Sequence, residues 1–573
     1  MPEDLPVDVM PCSNEEYFPP EPSREQLAIM ELADRETERL RGKFNMSRRQ
    51  FVRTAAATTI GFWAIDAVRM GRFGNYGFAH NTATLDACDL EWAGRGGLET
   101  LRNLPGEFIF DVQSHHVDPD GMWRVTNPAI HAFFAAVWPQ ASTVTGDRPG
   151  LRPDGSIRGG GAGEIDPIAN LSRFHYLKEL FLDSATTMTV LSCVPTSPDS
   201  DNPLPLAEAS ETVNTVNHLA RSQRSVMHAF VMPNRGSPAG DNAPFIRPPF
   251  LDEELQLMME RAQTYRGILR GWKTYCSWGS VPNASGWWLD SDTGMAFLQQ
   301  VRKVSEAVPE VGRVVATHKG FALPGFDAEK STPRDIGPAA KAFPDISFLV
   351  YHSGYDTGDE QRPYRGDAEA RSDTNTVDAL IKSLRENDYD ATRFRKKNQS
   401  FGNVPNVYAE LGSVWRSVMN DPDQSAHLLG KLITFVGPKR ICWGTDSLWY
   451  GSPHAEIIAL RRFQFTEEGK EFYGLPYGLE GDVKDPTRRA PRPQRTIRNA
   501  ILGRNAAGAY GIDPDDRRHE ILCDDVNALR EEDYLVGSPG SEGESAPLAS
   551  NVAPGPRTRR EVLSALTNNP WSP

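Results

Sequence analysis

The chain is poor in cysteine and has no apolar run of membrane length. Among 573 residues there are six cysteines, and none forms a Cys-x-x-Cys pair: Cys12, Cys88, Cys193, Cys276, Cys442 and Cys523. This scatter excludes the common thiolate metal sites and dithiol redox motifs. No segment approaches the roughly 18 consecutive apolar residues of a membrane span. We therefore expect mostly buried, unpaired thiols.

Positive charge is also scarce. Lys and Arg total 62 against 76 Asp and Glu, which gives a formal net charge of −14. A broad basic surface for nucleic acid is therefore excluded. The length allows a large core, and one barrel with insertions can occupy most of it. We expect a small-molecule substrate and no nucleic-acid partner.

From residue 107 onward, apolar strand-like runs alternate with helical segments, which is typical of a parallel α/β architecture. The pattern predicts helices over 252–263, 293–307 and 427–436. It predicts eight strands, over 108–114, 188–194, 225–232, 267–275, 313–317, 347–351, 406–411 and 440–444. A right-handed series of this kind closes into a (β/α)8 TIM barrel.

Five short stretches with chemically active side chains each close one of these strands: 111–116, 271–273, 317–320, 351–354 and 443–446. Catalytic groups of such barrels lie where strands end, because those ends converge on one face. Alternate residues of a strand share a face, so Asp111, Gln113 and His115 point inward together, whereas His116 points away. Chain order therefore predicts one site built from distant segments.

These strand ends resemble the amidohydrolase superfamily, in particular the amidohydrolase-2 branch related to aminocarboxymuconate-semialdehyde decarboxylase. The family pattern Asp-x-His-x-His corresponds to Asp111-x-Gln113-x-His115 in this chain. Residues 313–318 resemble the fifth strand, 346–354 the sixth and 438–446 the eighth, and 501–507 resemble the closing helix. The resemblance covers 107–513 and implies a metal-dependent TIM barrel.

The resemblance also implies roles for individual residues. Gln113, His115 and His318 would be metal ligands, Asp446 a ligand and proton shuttle, and His352 a group that stabilises charge on the substrate oxygen. A borderline cation such as Zn²⁺ takes imidazole and carboxylate ligands and keeps one position open in a catalytic site. Water bound there loses its proton near neutral pH. We expect a divalent metal, with Zn²⁺ ahead of Mn²⁺.

Gln113 departs from the family pattern. An amide oxygen is a weaker ligand than imidazole, so the site would hold its metal loosely, select a harder ion such as Mn²⁺, or hold none. Some decarboxylating relatives have glutamate there, so the position accepts an oxygen donor. Alternative interpretations make His115 and His318 core histidines, His352 a strand terminator and Asp446 a helix N-cap.

Further residues near these strand ends have supporting roles in this interpretation. Asp111 and Glu410 are expected to hydrogen-bond metal ligands, as groups behind such sites often do. Lys273 is expected to contact the substrate, with an ion pair as the alternative. His228 and His116 are interpreted as structural histidines.

Aromatic residues follow the fourth and eighth strands in loops that should overhang the pocket. Trp287, Trp288, Trp449 and Tyr450 are expected to form walls for an apolar or aromatic ring, although ordinary packing explains them equally well. Four long insertions are candidates for a lid or a homo-oligomer contact, at 140–170, 196–208, 356–399 and 466–495.

An export signal is indicated near the N-terminus. Residues 47–53 read Ser-Arg-Arg-Gln-Phe-Val-Arg and precede the mildly apolar stretch 54–65. This resembles a twin-arginine signal, although it lies far from Met1 and no clean Ala-x-Ala site follows. We expect a periplasmic, extracellular or membrane-tethered protein, and a cytoplasmic one if the signal does not function. The alternative is an ordinary helix with residues 55–67 buried.

The chain thus divides into an N-terminal extension (1–45), the signal-like segment (46–70), a linker (71–106), the barrel (107–513) and a C-terminal extension (514–573). Within that extension, the Gly-, Pro- and Ser-rich stretch 537–556 is expected to be disordered.

Three functions remain open from sequence alone. The first is hydrolysis of a C–O or C–N bond of amide or lactone type by metal-activated water. The second is non-oxidative decarboxylation of an aromatic or unsaturated acid, with Asp446 delivering a proton to carbon. The third is a metal-free binding or scaffold protein, for which Gln113 is the evidence. The first two share the same ligands, so the sequence does not separate them.

Overall fold

The computed structural model describes most of the barrel and part of the N-terminal region. The described residues are 7, 22–43, 48, 55–69, 71–77, 106–127, 130–131, 168, 171–196, 201–237, 247–279, 286–322, 326–356, 360–366, 376–394, 401–522 and 524–527. The stretch 537–556, which was expected to be disordered, and most of the insertion 140–170 lie outside them.

Eight parallel strands form one sheet in which spatial order follows chain order. They are β1 (Phe110–Ser114), β2 (Met188–Leu191), β3 (Ser225–Phe230), β4 (Leu269–Tyr275), β5 (Val314–His318), β6 (Ser347–Tyr351), β7 (Val407–Glu410) and β8 (Ile441–Cys442). A parallel bridge pairs Ser114 with Ser447, so the two ends of the sheet meet. The predicted (β/α)8 barrel is confirmed.

The strands are short, buried and rich in β-branched and aromatic residues. Every residue of β5 is buried, as expected where one face of the sheet lines the barrel interior and the other is covered by helices. The predicted range 347–351 coincides with β6. The largest difference is at β2, where ladder bonding stops at Leu191 rather than at 194.

Seventeen α-helices occur in the described part of the chain. They are α1 (Arg24–Lys43), α2 (Ala55–Arg69), α3 (Trp123–Thr126), α4 (Arg173–Leu177), α5 (Leu206–Ala220), α6 (Leu251–Thr264), α7 (Asp292–Ala307), α8 (Ala328–Ser331), α9 (Ile336–Ala342), α10 (Val377–Glu386), α11 (Val414–Val418), α12 (Pro422–Phe435), α13 (His454–Arg462), α14 (Glu467–Tyr473), α15 (Ile497–Asn499), α16 (Asn505–Ala509) and α17 (Pro514–Leu522).

The start of α12 shows how a cap overrides an apolar pattern. The sequence predicts this helix over 427–436, but it begins at Pro422. The Asp421 side chain accepts hydrogen bonds from the backbone N–H groups of Asp423 and Gln424, and proline suits the first helical position. The cap therefore adds more than a turn to the helix.

The N-terminal helices belong to the main hydrophobic core. Ile29 and Leu40 of α1 and Ile60, Phe62 and Ile65 of α2 are fully buried in it. After α2, residues Gly74–Asn75 pair antiparallel with Gln464–Phe465. No helix in the described ranges is long and apolar enough to cross a membrane.

Two histidines of the barrel have both ring nitrogens hydrogen-bonded. His228 contacts the Tyr510 hydroxyl through Nε2 (2.7 Å) and the Ser192 hydroxyl through Nδ1 (3.1 Å). His116 contacts the Val117 carbonyl through Nδ1 (3.0 Å) and the Thr212 hydroxyl through Nε2 (2.9 Å). This pattern is the one expected of the structural histidines predicted at these positions.

Candidate active site

Backbone hydrogen bonds hold the loop after β8 against β1. The Asp446 N–H donates to the Gln113 carbonyl (2.8 Å), and the Leu448 N–H donates to the His115 carbonyl (3.0 Å). The Asp111 carboxylate accepts from the Thr445 N–H at 3.1 Å. The seam that closes the barrel therefore places Gln113, His115 and Asp446 side by side.

Asp446 is the hub of the side-chain contacts. Its Oδ1 accepts from Gln113 Nε2 at 2.8 Å and lies 3.1 Å from His115 Nε2. Its Oδ2 accepts from the Ser413 hydroxyl at 2.6 Å. All four side chains are buried. Gln113 Nε2 also lies 3.3 Å from His352 Nε2, which brings β6 to the same point.

Three imidazoles of the site each have one nitrogen against a backbone carbonyl at 2.8 Å. His115 uses Nδ1 toward Ser192, His352 uses Nδ1 toward Gly412, and His318 uses Nε2 toward Phe321. A carbonyl only accepts, so each of these nitrogens carries the proton. In the neutral rings of His352 and His318 the other nitrogen, Nε2 and Nδ1 respectively, presents a lone pair, whereas His115 Nε2 faces the Asp446 carboxylate at 3.1 Å.

Burial keeps two of these rings neutral. It lowers the pKa of His352 to about 4, and it holds the pKa of His318 well below the ordinary value, with further lowering from the nearby His352 and Lys273. At neutral pH both rings are therefore acceptors at their second nitrogen.

The carboxyl groups differ in charge. Burial alone would raise the pKa of Asp446, but the contacts with His115, His352 and Ser413 hold it below the ordinary range, so it is an anion. Burial raises the pKa of Asp111 to about 7 and that of Glu410 well above its ordinary value. Glu410 accepts from the His352 N–H (2.9 Å) and the Gly412 N–H (2.5 Å). It thus supports the backbone around the site.

Backbone strain is concentrated here. Six non-glycine residues in the described ranges have positive φ, and four lie at the site: His352 (65°), Ser353 (52°), Ser413 (58°) and Asp446 (64°). Such conformations cost of the order of 1–3 kcal/mol each and persist where the surroundings impose them. Their clustering at the ends of β6, β7 and β8 is typical of a functional site.

The spacing of the donor atoms around Asp446 can be compared with the ligand spacing around a divalent cation. Two ligand atoms that each lie ~2.1 Å from one ion are about 3 Å apart, which agrees with the 3.1 Å between His115 Nε2 and Asp446 Oδ1. In the described part of the chain, no group of three or more His, Cys, Asp and Glu side chains could hold a metal ion. Gln113 Oε1 is buried with no hydrogen-bond partner among these residues. A cation would lie between His115 Nε2 and Asp446 Oδ1, and the Gln113 amide would have to rotate to offer Oε1 as third donor, because its Nε2 faces Asp446.

A buried cation lies beside these groups. The Lys273 ammonium is 3.9 Å from the ring centre of Tyr351 and 4.1 Å from that of Tyr275. The Tyr275 ring in turn stacks on His318 at 5.3 Å. This position places a positive charge and an aromatic surface next to the site imidazoles.

The three tryptophans have separate environments. Trp449 stacks on His115, with 5.4 Å between ring centres and 19° between planes. Trp287 packs against Phe297 of α7 in the hydrophobic core. Trp288 lies under the Arg334 guanidinium, with its ring centre at 3.8 Å. The structure thus brings Trp449 to the site, whereas the ring contacts of Trp287 and Trp288 are with other partners.

Sequence reasoning missed Ser413 and Tyr275. Tyr275 alternates with Lys273 on β4, and the same two-residue spacing that selected His115 would have found it. Ser413 lies three residues after the end of β7, so the strand-end position that selected the other site residues would have pointed to it. Tyr450, which was predicted with Trp449 in the loop after β8, donates its hydroxyl to Ser413 Oγ at 3.1 Å.

Residues 269–512 match the family model described as amidohydrolase. The matched range contains His318, His352 and Asp446, and it supports the superfamily inferred from the strand-end motifs. Gln113 and His115 lie outside it. No curated protein matches the chain.

Several solved structures match this chain at low similarity. A dihydroxybenzoic acid decarboxylase from Polaromonas, with bound manganese and 2-nitroresorcinol, is 9% identical over 71% of this chain and 97% of its own (TM-score 0.37). A 5-carboxyvanillate decarboxylase from Novosphingobium aromaticivorans, also with manganese, is 11% identical over 72% and 99% (TM-score 0.37). A probable 2-pyrone-4,6-dicarboxylic acid hydrolase from Acinetobacter baumannii is 10% identical over 70% and 99% (TM-score 0.34). At these values, substrate and metal have to be argued from this chain's own residues.

Proposed function

We propose that the protein is a metal-dependent hydrolase of the amidohydrolase superfamily that cleaves a C–O or C–N bond of a small organic substrate. The observation that carries this proposal is the pair formed by His115 Nε2 and Asp446 Oδ1, 3.1 Å apart with the other imidazole nitrogen on a carbonyl. Metal-binding histidines characteristically donate their second N–H in this way.

The metal would be held by His115, Asp446 and the Gln113 amide oxygen, and His318 Nδ1 would offer a further lone pair. The chemistry that a bound divalent cation supplies is polarisation of a substrate oxygen and activation of water. Two of the three donors are oxygens, so Mn²⁺ is as well suited to this set as Zn²⁺.

Proton transfer would fall to Asp446 and His352. Asp446 is an anion and accepts a proton from the attacking water, which it then returns to the leaving group. His352 was expected to stabilise negative charge on the substrate, but its Nδ1 proton is committed to the Gly412 carbonyl. Its Nε2 lone pair suits a second proton acceptor instead.

Lys273 favours a second candidate function, non-oxidative decarboxylation. A buried ammonium near the imidazoles suits a substrate that carries a carboxylate, and the Tyr275 and Trp449 rings beside the imidazoles suit an aromatic or unsaturated ring. In that reaction the bond between ring carbon and carboxyl carbon breaks and carbon dioxide leaves. Asp446, an anion at rest, first takes a proton from the acid substrate or from water and then supplies it to the ring carbon. The metal-free scaffold interpretation leaves the cluster around Asp446 without a role.

The test combines metal analysis with a substrate panel. Purified protein and the Asp446→Asn variant are analysed by plasma mass spectrometry, then incubated with lactones, amides and hydroxybenzoic acids. Ring opening or amide cleavage supports hydrolysis, and released carbon dioxide supports the decarboxylase. Protein that carries no Zn or Mn after supplementation and transforms none of these compounds would overturn both in favour of the scaffold. Homo-oligomer formation and export remain predictions that size measurement and cell fractionation address.

A further inference from the structure

Ser413 contacts the free side of the central carboxylate. Its hydroxyl donates to Asp446 Oδ2 at 2.6 Å, and the Tyr450 hydroxyl donates to Ser413 Oγ at 3.1 Å. The Arg416 guanidinium lies 4.9 Å from the centre of the Tyr450 ring. The Tyr450 and Ser413 hydroxyls thus form a chain of donors directed at Oδ2, which leaves Oδ1 facing Gln113 and His115.

Ser413 makes this contact from a strained backbone position, with φ 58° and ψ −34° immediately before α11. An alanine or glycine would remove the hydroxyl, and glycine alone tolerates positive φ without cost. We propose that Ser413 is a positioning residue that holds the Asp446 carboxylate with Oδ1 toward the cation and substrate. This inference rests on the proposed function.

The matched variants Ser413→Ala and Ser413→Gly test this role. Both remove the hydroxyl, so both should weaken Mn²⁺ binding and lower kcat about tenfold, the range typical of groups that orient a ligand. Ser413→Gly should melt at a higher temperature than Ser413→Ala because it relieves the strain. Binding is followed by Mn²⁺ titration and kcat with whichever compound the wild type transforms.

Either variant with wild-type Mn²⁺ affinity and kcat would overturn the positioning role while leaving the proposed function intact. If Ser413→Ala lost Mn²⁺ affinity and kcat together with melting temperature, while Ser413→Gly kept all three, the positioning role would also be overturned. Ser413 would then contribute to stability alone. A wild-type protein with neither Mn²⁺ binding nor turnover would overturn the proposed function and this role with it.

An independent observation concerns the twin-arginine-like segment. Arg48, the first of its two arginines, forms ion pairs with Asp34 (2.6 Å) and Glu38 (2.8 Å), both on α1. The following helix α2 buries Phe62 and Ile65 in the main core. The arginine and the apolar face of this motif are therefore both used inside the fold.

Contacts beyond α2 tie the segment to the barrel wall. The Asp66 carboxylate at the end of the apolar stretch accepts from the Tyr76 N–H at 2.9 Å. The Tyr76 hydroxyl donates to the Met419 carbonyl, and Arg69 forms an ion pair with Asp421. These partners precede α12, so loss of the segment would uncover that part of the barrel.

We infer that residues 24–76 remain part of the working protein, with α1 and α2 as core helices rather than as a removable leader or a membrane anchor. The intact mass and N-terminal sequence of protein isolated from the cells that make it should show a chain that begins before residue 24. A chain that begins between 70 and 106 would overturn the inference.

A variant pair provides the second measurement. Ile29→Ala removes a fully buried side chain of α1, and Leu27→Ala, two residues away, removes one that is 48% exposed. The inference predicts a clear fall in melting temperature for Ile29→Ala and little change for Leu27→Ala. Equal melting temperatures for the wild type and both variants would show that α1 does not pack on the barrel, and the inference would fail.

Discussion

The buried histidines of this barrel fall into two groups that differ in one property. His116 and His228 have both ring nitrogens hydrogen-bonded to protein groups. His115 and His318 have one nitrogen on a carbonyl and the other directed at the site, where His115 Nε2 lies 3.1 Å from the Asp446 carboxylate. Burial is the same for all four. The second nitrogen, rather than burial, therefore separates a histidine that holds the fold from one that can bind a ligand.

Variants of the neighbours His115 and His116 give the strongest test of this difference between the two groups. His115→Ala removes a proposed metal ligand, so turnover of the folded protein should fall by about 10³-fold or more, beyond any stability lost with the contacts to Ser192 and Asp446. Steady-state kinetics, metal content and thermal unfolding of the same preparation check this. Retained turnover in a folded His115→Ala protein would place His115 with the structural group.

His116→Ala is the matched control, because it changes the neighbouring residue on the opposite face. It leaves the Val117 carbonyl and the Thr212 hydroxyl without their buried partner. We expect the free energy of unfolding to fall by about 3 kcal/mol, with metal content unchanged. Urea unfolding measures the change, and loss of metal without loss of stability would reverse the assignment.

The pH dependence of stability sharpens the comparison for His228. Burial lowers its pKa to about 3 from an ordinary 6.5. Below pH 6.5 the unfolded chain binds a proton that the folded chain does not, so stability is lost as pH falls. Between about pH 7 and about pH 5, the wild type should lose about 2 kcal/mol more than His228→Gln. Urea unfolding at both pH values measures this loss. An equal loss in free energy of unfolding for the two proteins would contradict the prediction.

Gln113→His gives the smallest expected effect. It adds an imidazole to the site, whereas the other variants remove one from the barrel. Imidazole is a better ligand than an amide oxygen for Zn²⁺, so Zn²⁺ affinity should rise about tenfold or less. Competition with a chelator measures it, with Mn²⁺ as the comparison ion. If Gln113 is not a ligand position, neither affinity will increase.

Much of the barrel and of the site follows from short-range patterns in the sequence. Two-residue alternation identified the inward side chains of β1, and strand-end position identified His318, His352 and Asp446. The contact between Ser413 and Asp446 did not follow, because it depends on positive φ at both residues and joins different strands. The sequence left Trp287 open between a pocket wall and ordinary packing, because an aromatic residue in a loop packs equally well into a core.

The packing of the N-terminal helices also could not be predicted from local sequence patterns. Apolar residues in α2 match both an export signal and a core helix, and only the surface that covers them decides between the two. That surface includes α1 and Tyr76, and the Tyr76 hydroxyl donates to the Met419 carbonyl, more than three hundred positions later. Ion pairing of Arg48 with α1 likewise depends on how two helices dock.

The seam between β1 and the loop after β8 has a consequence for synthesis on the ribosome. Gln113 and Asp446 are separated by 333 positions in the chain. At ~5–20 residues per second, roughly 15 to 70 s pass between the emergence of one and of the other. During that interval β1 has an unpaired edge, which invites pairing with other nascent chains. The site is thus completed among the last parts of the barrel to be made, and a chain truncated before residue 446 would present that edge permanently.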